Sequence, residues 1–152
     1  MHKHDCFSEL QIYGPSELLD SFQKHKLHFQ KFIPYPAKDN LDYCEWAKEH
    51  WGTTSDNKKN PDPDAYSVMD CQIDTIIHSR EPMKLCMRIW TSLTPPNVFL
   101  QNLIHKYPMV SIRNIWQKND TEGIWIGYME NGSFIKKEIT WQPSNVTNTA
   151  GY

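Results

Sequence analysis

His25 and His28 stand three residues apart, and two imidazoles at that helical spacing could begin a metal site with Asp5 or Asp20 as a further ligand. His2 and His4 offer a second pair. Near a helix end, however, the first pair has a simpler use, because a cation there complements the carbonyl dipole. Neither a metal nor a cofactor is expected. Glu49 and His50 are adjacent, but no H-E-x-x-H pattern surrounds them. Glu45 and Glu49, four residues apart, could work as general acid and base, yet the same spacing suits an exposed helix face with Lys48 beside it. The four cysteines, Cys6, Cys44, Cys71 and Cys86, are dispersed without a C-x-x-C pair and read as reduced, mostly buried thiols. No G-x-S-x-G elbow is present. Gly14-Pro15-Ser16 is a poor phosphate cradle, because proline lacks the donor amide. These residues lean away from catalysis.

Binding chemistry is better represented. The stretch from Phe22 to Phe32 holds three lysines, two histidines and three phenylalanines with no acid. Lys24, Lys26, His28 and Lys31 could follow a phosphate backbone while the phenylalanines stack on bases. The competing arrangement turns Phe22, Phe29 and Phe32 inward and leaves the lysines solvated.

Hydrophobic spacing then sets the elements. Phe7, Leu10 and Ile12 mark a first strand stopped by Gly14-Pro15, and Leu18, Leu19 and Phe22 give a helix over roughly residues 15–26. Pro34 and Pro36 make the following segment an extended connector. A second helix runs from about Leu41 to Trp51, capped by Asp39 or Asn40 and ended by Gly52. Residues 53–64 are Thr, Ser, Asn, Asp, Lys and Pro only and read as an exposed, mobile loop. Met69, Cys71, Ile73, Thr75 and Ile77 alternate, as do Met83, Leu85, Met87 and Ile89, so a hairpin is expected. Thr94 caps a third helix with Pro95 at its first position and Leu100, Leu103, Ile104 and Tyr107 on its core stripe. Val110, Ile112 and Trp116 lie on the next strand.

Glu130-Asn131-Gly132-Ser133 is the sharpest local signal, because a two-residue Asn-Gly turn sets the hairpin register. Tyr128 should then face Ile135, and Ile124 should face Ile139. If the Ile124, Ile126 and Tyr128 face is buried, Trp125, Met129 and Phe134 form an exposed apolar strip, with Trp116 as another exposed aromatic. Such a strip would suit a partner protein or a homodimer.

The resulting order is β, α, connector, α, β, β, α, β, β, β. It predicts an α+β class, with an antiparallel sheet and helices packed on one face, and the ferredoxin-like arrangement as its nearest form. One domain over residues 1–141 and a flexible polar tail over 142–152 are expected. A hydrophobic share of 39% excludes a disordered chain, and apolar runs of only a few residues exclude a membrane-spanning helix. The net charge of −2 provides no global field for polyanions, so nucleic-acid binding would have to be local. The charged N-terminus does not resemble a secretory signal, and a cytoplasmic protein is expected.

Three fragments carry a family likeness: Tyr43-Cys-Glu-Trp-Ala-Lys-Glu-His-Trp-Gly-Thr53, Ile89-Trp-Thr-Ser-Leu-Thr-Pro-Pro96 and His105-Lys-Tyr-Pro108. Together they resemble the YubB-like family of small plasmid and phage proteins over roughly residues 5–141. That family's signature continues W-G-T with K-W-D, where this chain has Thr54-Ser55-Asp56. The resemblance implies a ferredoxin-like fold and a mobile-element setting, with no established activity whose catalytic residues could be transferred. The same tryptophans, glycine and prolines also suit packing and turns. The expectation is a noncatalytic accessory protein of a phage or plasmid-type element that engages a host protein or a small ligand through a sheet edge or an aromatic-lined cleft. The alternative is local binding of single-stranded nucleic acid or a nucleotide through the basic-aromatic stretch.

Overall fold

The computed structural model describes residues 5–36, 42–53 and 72–143. Strand β1 (Asp5–Tyr13) leads to helix α1 (Ser16–Lys24), a single-turn helix α2 (Phe29–Phe32) and helix α3 (Tyr43–His50). A hairpin of β2 (Gln72–Glu81) and β3 (Lys84–Ser92) precedes α4 (Asn97–Lys106). The chain then runs through β4 (Ser111–Lys118), β5 (Thr121–Glu130) and β6 (Ser133–Trp141). The strands form one antiparallel sheet in the order β2-β3-β1-β4-β5-β6.

Strand alternation separates two faces. Leu10 and Ile12 of β1, Leu85, Met87 and Ile89 of β3, and Ile112 of β4 are buried. Register brings them together, with Ile12 opposite both Leu85 and Ile112 and Leu10 opposite Met87. The same core cluster takes in Leu19 and Phe22 of α1, Phe29 and Phe32 of α2, Trp46 and Ala47 of α3, and Phe99, Leu100, Leu103 and Ile104 of α4. Each large apolar side chain so buried contributes about 1.5–3 kcal/mol.

This sheet overturns the expectation of a ferredoxin-like α+β domain. Six antiparallel strands dominate the described residues, and the helices are short, from four to ten residues. The extra width comes from the final hairpin, whose Asn131 and Gly132 take φ values of 52° and 81° as a two-residue turn requires. Glu130 pairs with Ser133, Tyr128 with Ile135 and Ile124 with Ile139, the register that the turn predicts.

Local corrections have local causes. The connector after α1 is not wholly extended, because Lys26 and Leu27 adopt positive φ and turn the chain into α2 ahead of the prolines. Asp42 caps α3 by accepting from the amides of Cys44 at 2.9 Å and Glu45 at 3.2 Å, while Asp39 and Asn40 lie outside the described residues. Helix α4 begins at Asn97, and Thr94 does not cap it. The Thr94 hydroxyl instead donates to the Gly52 carbonyl at 2.8 Å. Met83 lies in the hairpin turn and is 65% exposed, so it leaves the face that Leu85 continues. The expected mobile loop beyond Thr53 and the tail from residue 144 lie outside the described residues.

Two of the three fragments that carried the YubB-like resemblance, residues 43–53 and 89–96, meet in space. The Phe99 amide donates to the Trp51 carbonyl at 3.1 Å, the Asn102 side chain to the His50 carbonyl at 2.9 Å, and the Thr53 hydroxyl to the Ser92 carbonyl. They clasp the end of α3 to the entry of α4, a packing role.

Candidate ligand-binding cleft

The basic-aromatic stretch divides by burial. Lys24, Lys26 and Lys31 are exposed, whereas Phe22, Phe29 and Phe32 are in the core. Phe22 meets Phe32 at 5.2 Å and Phe29 meets Phe99 at 4.2 Å between ring centroids, so their faces are used internally. Burial, with the charges of Lys26 and His25 nearby, holds the His28 imidazole below its ordinary pKa of 6.5, so at neutral pH it adds no cation. A charged face survives there without the phenylalanine rings on which bases would stack.

The strip expected on the last hairpin is turned the other way. Trp125 is 1% exposed and Trp116 is 7% exposed, and both share the inward face of the sheet with Met129 and Phe134. Phe134 lies 5.0 Å from the His105 ring of α4 and 6.4 Å from the Trp125 ring, which closes the strip under that helix. Glycines make the room. Gly123 stands opposite Trp116 in the β4–β5 register, and a Cβ there would come within 2.5 Å of the indole. Trp125 likewise crowds Gly127, two residues along its own strand. The two indoles are buried, and Met129 and Phe134 are partly buried against the core, so the four do not form an open apolar strip.

The metal and acid–base candidates also separate. Among the described residues, no group of three His, Cys, Asp or Glu stands close enough to hold a metal ion, and His2 and His4 lie outside them. Asp20 pairs with Arg80 at 2.9 Å. Glu45, Lys48 and Glu49 share an exposed helix face. Cys6 is fully buried and its thiol is pushed up to about 12, chiefly by that burial. Among the described residues no helix is long and apolar enough to cross a membrane.

The opposite face of the sheet carries what remains. A cavity of about 520 Å³ opens at one end of β1, β4 and β5, lined by Tyr13, Met109, Ser111, Arg113, Ile126 and Tyr128 among others. Register explains its shape. Tyr13 stands opposite Ser111, and one step beyond the pair Ile112 and Gly127 places Tyr128 on the other side of Ser111. Strands spaced about 4.8 Å apart set the two tyrosines roughly 10 Å apart over a small serine. A large, small, large row leaves a slot. Met109, 76% exposed, stands at its mouth beside Pro108.

Electrostatics give the slot a sign. Arg113 is exposed and faces neutral neighbours on both sides, Gln11 on β1 and Ile126 on β5. Arg88 by contrast is paired with Glu9 at 3.3 Å on the same face. No acidic side chain is among the residues that line the cavity, and Lys84 adds a cation 5.6 Å from the centroid of the Tyr13 ring. The site residues missed from sequence, Tyr13, Ser111, Arg113 and Tyr128, come from three strands, and no linear spacing signals them.

Farther along this face Phe7 and Trp90 pack at 5.0 Å, both half-buried. Asp74 pairs with Trp90, Glu9 follows Phe7 on the same side of β1, and Glu122 accepts from Trp141 at 3.0 Å. That aromatic pair therefore sits among carboxylates. No family model matches the chain, and no curated protein or solved structure matches it either.

Proposed function

We propose that this protein is a noncatalytic binding module that holds a small ligand in the cleft at the end of β1, β4 and β5. The carrying observation is the 520 Å³ cavity, whose lining combines two tyrosines, two methionines, two isoleucines, a valine and a proline with only Ser111 and Arg113 as polar side chains of other kinds. Ligand pockets commonly enclose about 300–1,000 Å³ with few, well-placed polar groups in an apolar wall. The alternative of single-stranded nucleic acid now draws on Phe7 and Trp90 rather than on Lys24, Lys26, His28 and Lys31. Carboxylates beside that pair would repel phosphates, which favours the small ligand.

The test is a screen of mixed neutral, cationic and anionic fragments against isotopically labelled full-length protein, read as amide chemical-shift changes. Hits should cluster on Tyr13, Ser111, Arg113 and Tyr128, and Ser111→Trp, which fills the slot, should abolish them while the rest of the spectrum stays folded. Scattered shifts, or hits unchanged in Ser111→Trp, would defeat the proposal. A mixed single-stranded oligonucleotide that instead shifts Phe7 and Trp90 would establish the alternative.

A further inference from the structure

The geometry points to the ligand's chemical class: a small planar aromatic molecule carrying one anionic group, its ring between Tyr13 and Tyr128 and its anion on Arg113. This rests on the small-ligand reading of the cleft and narrows it. The aromatic half follows from the row Tyr13, Ser111, Tyr128. The backbones that carry the two tyrosines, on the strands flanking β4, stand about 10 Å apart, and a planar ring with van der Waals contact on each side occupies about 7 Å of such a gap. The serine between them supplies the depth. An aliphatic ligand would fill the same volume without using either ring face.

The anionic half follows from Arg113. It lies two residues along β4 from Ser111, so its side chain leaves the same face of the sheet beside the slot. Its cross-strand neighbours are Gln11 and Ile126, and no ion pair among the described residues engages it. The face's other strand-borne arginine at this level, Arg88, has its carboxylate in Glu9. A guanidinium on an open wall with no acid in the lining is matched by a carboxylate or a phosphate, which it can grip through two parallel hydrogen bonds. Lys84 at Tyr13 gives the same sign to the potential on the far side.

An aromatic carboxylate and a purine nucleoside monophosphate share this chemistry. The probes are therefore indole-3-carboxylate, its neutral amide and AMP, titrated calorimetrically into the full-length protein. The acid should bind about tenfold or more tighter than the amide, as a charge-assisted contact requires. Arg113→Gln should erase that difference. Tyr128→Leu should weaken acid and amide together by about fivefold or more, since stacking ignores charge. Tighter binding of AMP than of the acid assigns a nucleotide source, and the reverse an aromatic acid. Equal affinity for acid and amide, or a preference that survives Arg113→Gln, would overturn this inference. So would failure of the acid and AMP while neutral fragments still shift the cleft amides, and that result would leave the small-ligand reading standing. Absence of any cleft hit would remove that reading itself.

Discussion

The Thr94 hydroxyl donates to the carbonyl of Gly52 at 2.8 Å, fastening the end of α3 to the approach of α4. Gly52 has φ of +76°, and a Cβ there would lie 2.9 Å from the backbone nitrogen of Val98. Backbone cannot yield as a flexible side chain can, so Gly52→Ala should lose about 1–3 kcal/mol of stability. Thr94→Val should lose about 1 kcal/mol for the hydrogen bond. Urea midpoints check both, and an unchanged midpoint for Gly52→Ala would contradict the geometry.

Trp116 and Gly123 form a second dependent pair. Gly123→Ala should cost about 1–3 kcal/mol by overpacking against the indole. In a Trp116→Leu background the penalty should largely vanish. A double-mutant cycle reads the coupling directly, and additive effects would show that the glycine is needed for another reason.

Trp125 distinguishes core from interface. Truncation of a buried tryptophan, Trp125→Ala, should cost about 3–5 kcal/mol, whereas an exposed aromatic would change stability by about 0.5 kcal/mol or less. Denaturation of the variant decides between these values, which do not overlap.

His28 should make stability depend on pH in one direction. Its folded pKa is lowered, mainly by burial. The unfolded chain therefore takes up a proton as pH falls through 6.5, while the folded chain does so only at lower pH. The contribution is complete above 6.5 and is lost as pH falls through the folded value. Urea midpoints measured from pH 7.5 downward, with His28→Gln for comparison, should show the variant losing less on acidification; equal losses would remove His28 as the cause.

Cys6 should resist thiol reagents in the native protein. With no exposure and a thiol pushed up to about 12, it holds almost no thiolate at neutral pH. Mass spectrometry after native alkylation should find Cys6 unmodified, and modified only after denaturation. Labelling under native conditions would mean that β1 opens readily.

Much of the local structure was legible because its causes are local. Asn131-Gly132 requires positive φ and so set the β5–β6 register, Gly52 ended α3, and the spacing of Leu100, Leu103 and Ile104 placed the buried stripe of α4. Caps were less legible. Thr94 looks like a helix cap in sequence, but its hydroxyl finds Gly52, 42 residues away. The cleft was not legible at all, because Tyr13, Ser111 and Tyr128 become a row only when β1, β4 and β5 pair.

Period-two alternation in β5 divides Ile124, Ile126 and Tyr128 from Trp125 and Met129 wherever the strand sits. It does not say which set is inside, since both are apolar. That choice belongs to the tertiary structure, where α4 lies over one face and Gly123 and Gly127 open space on it for two indoles. Large rings go where glycine leaves a hollow and a helix excludes water, and β-branched side chains and Tyr128 are left for the other face. Local periodicity and turn chemistry are written along the chain, whereas the inward face and the ligand slot depend on strands brought together across a hundred residues.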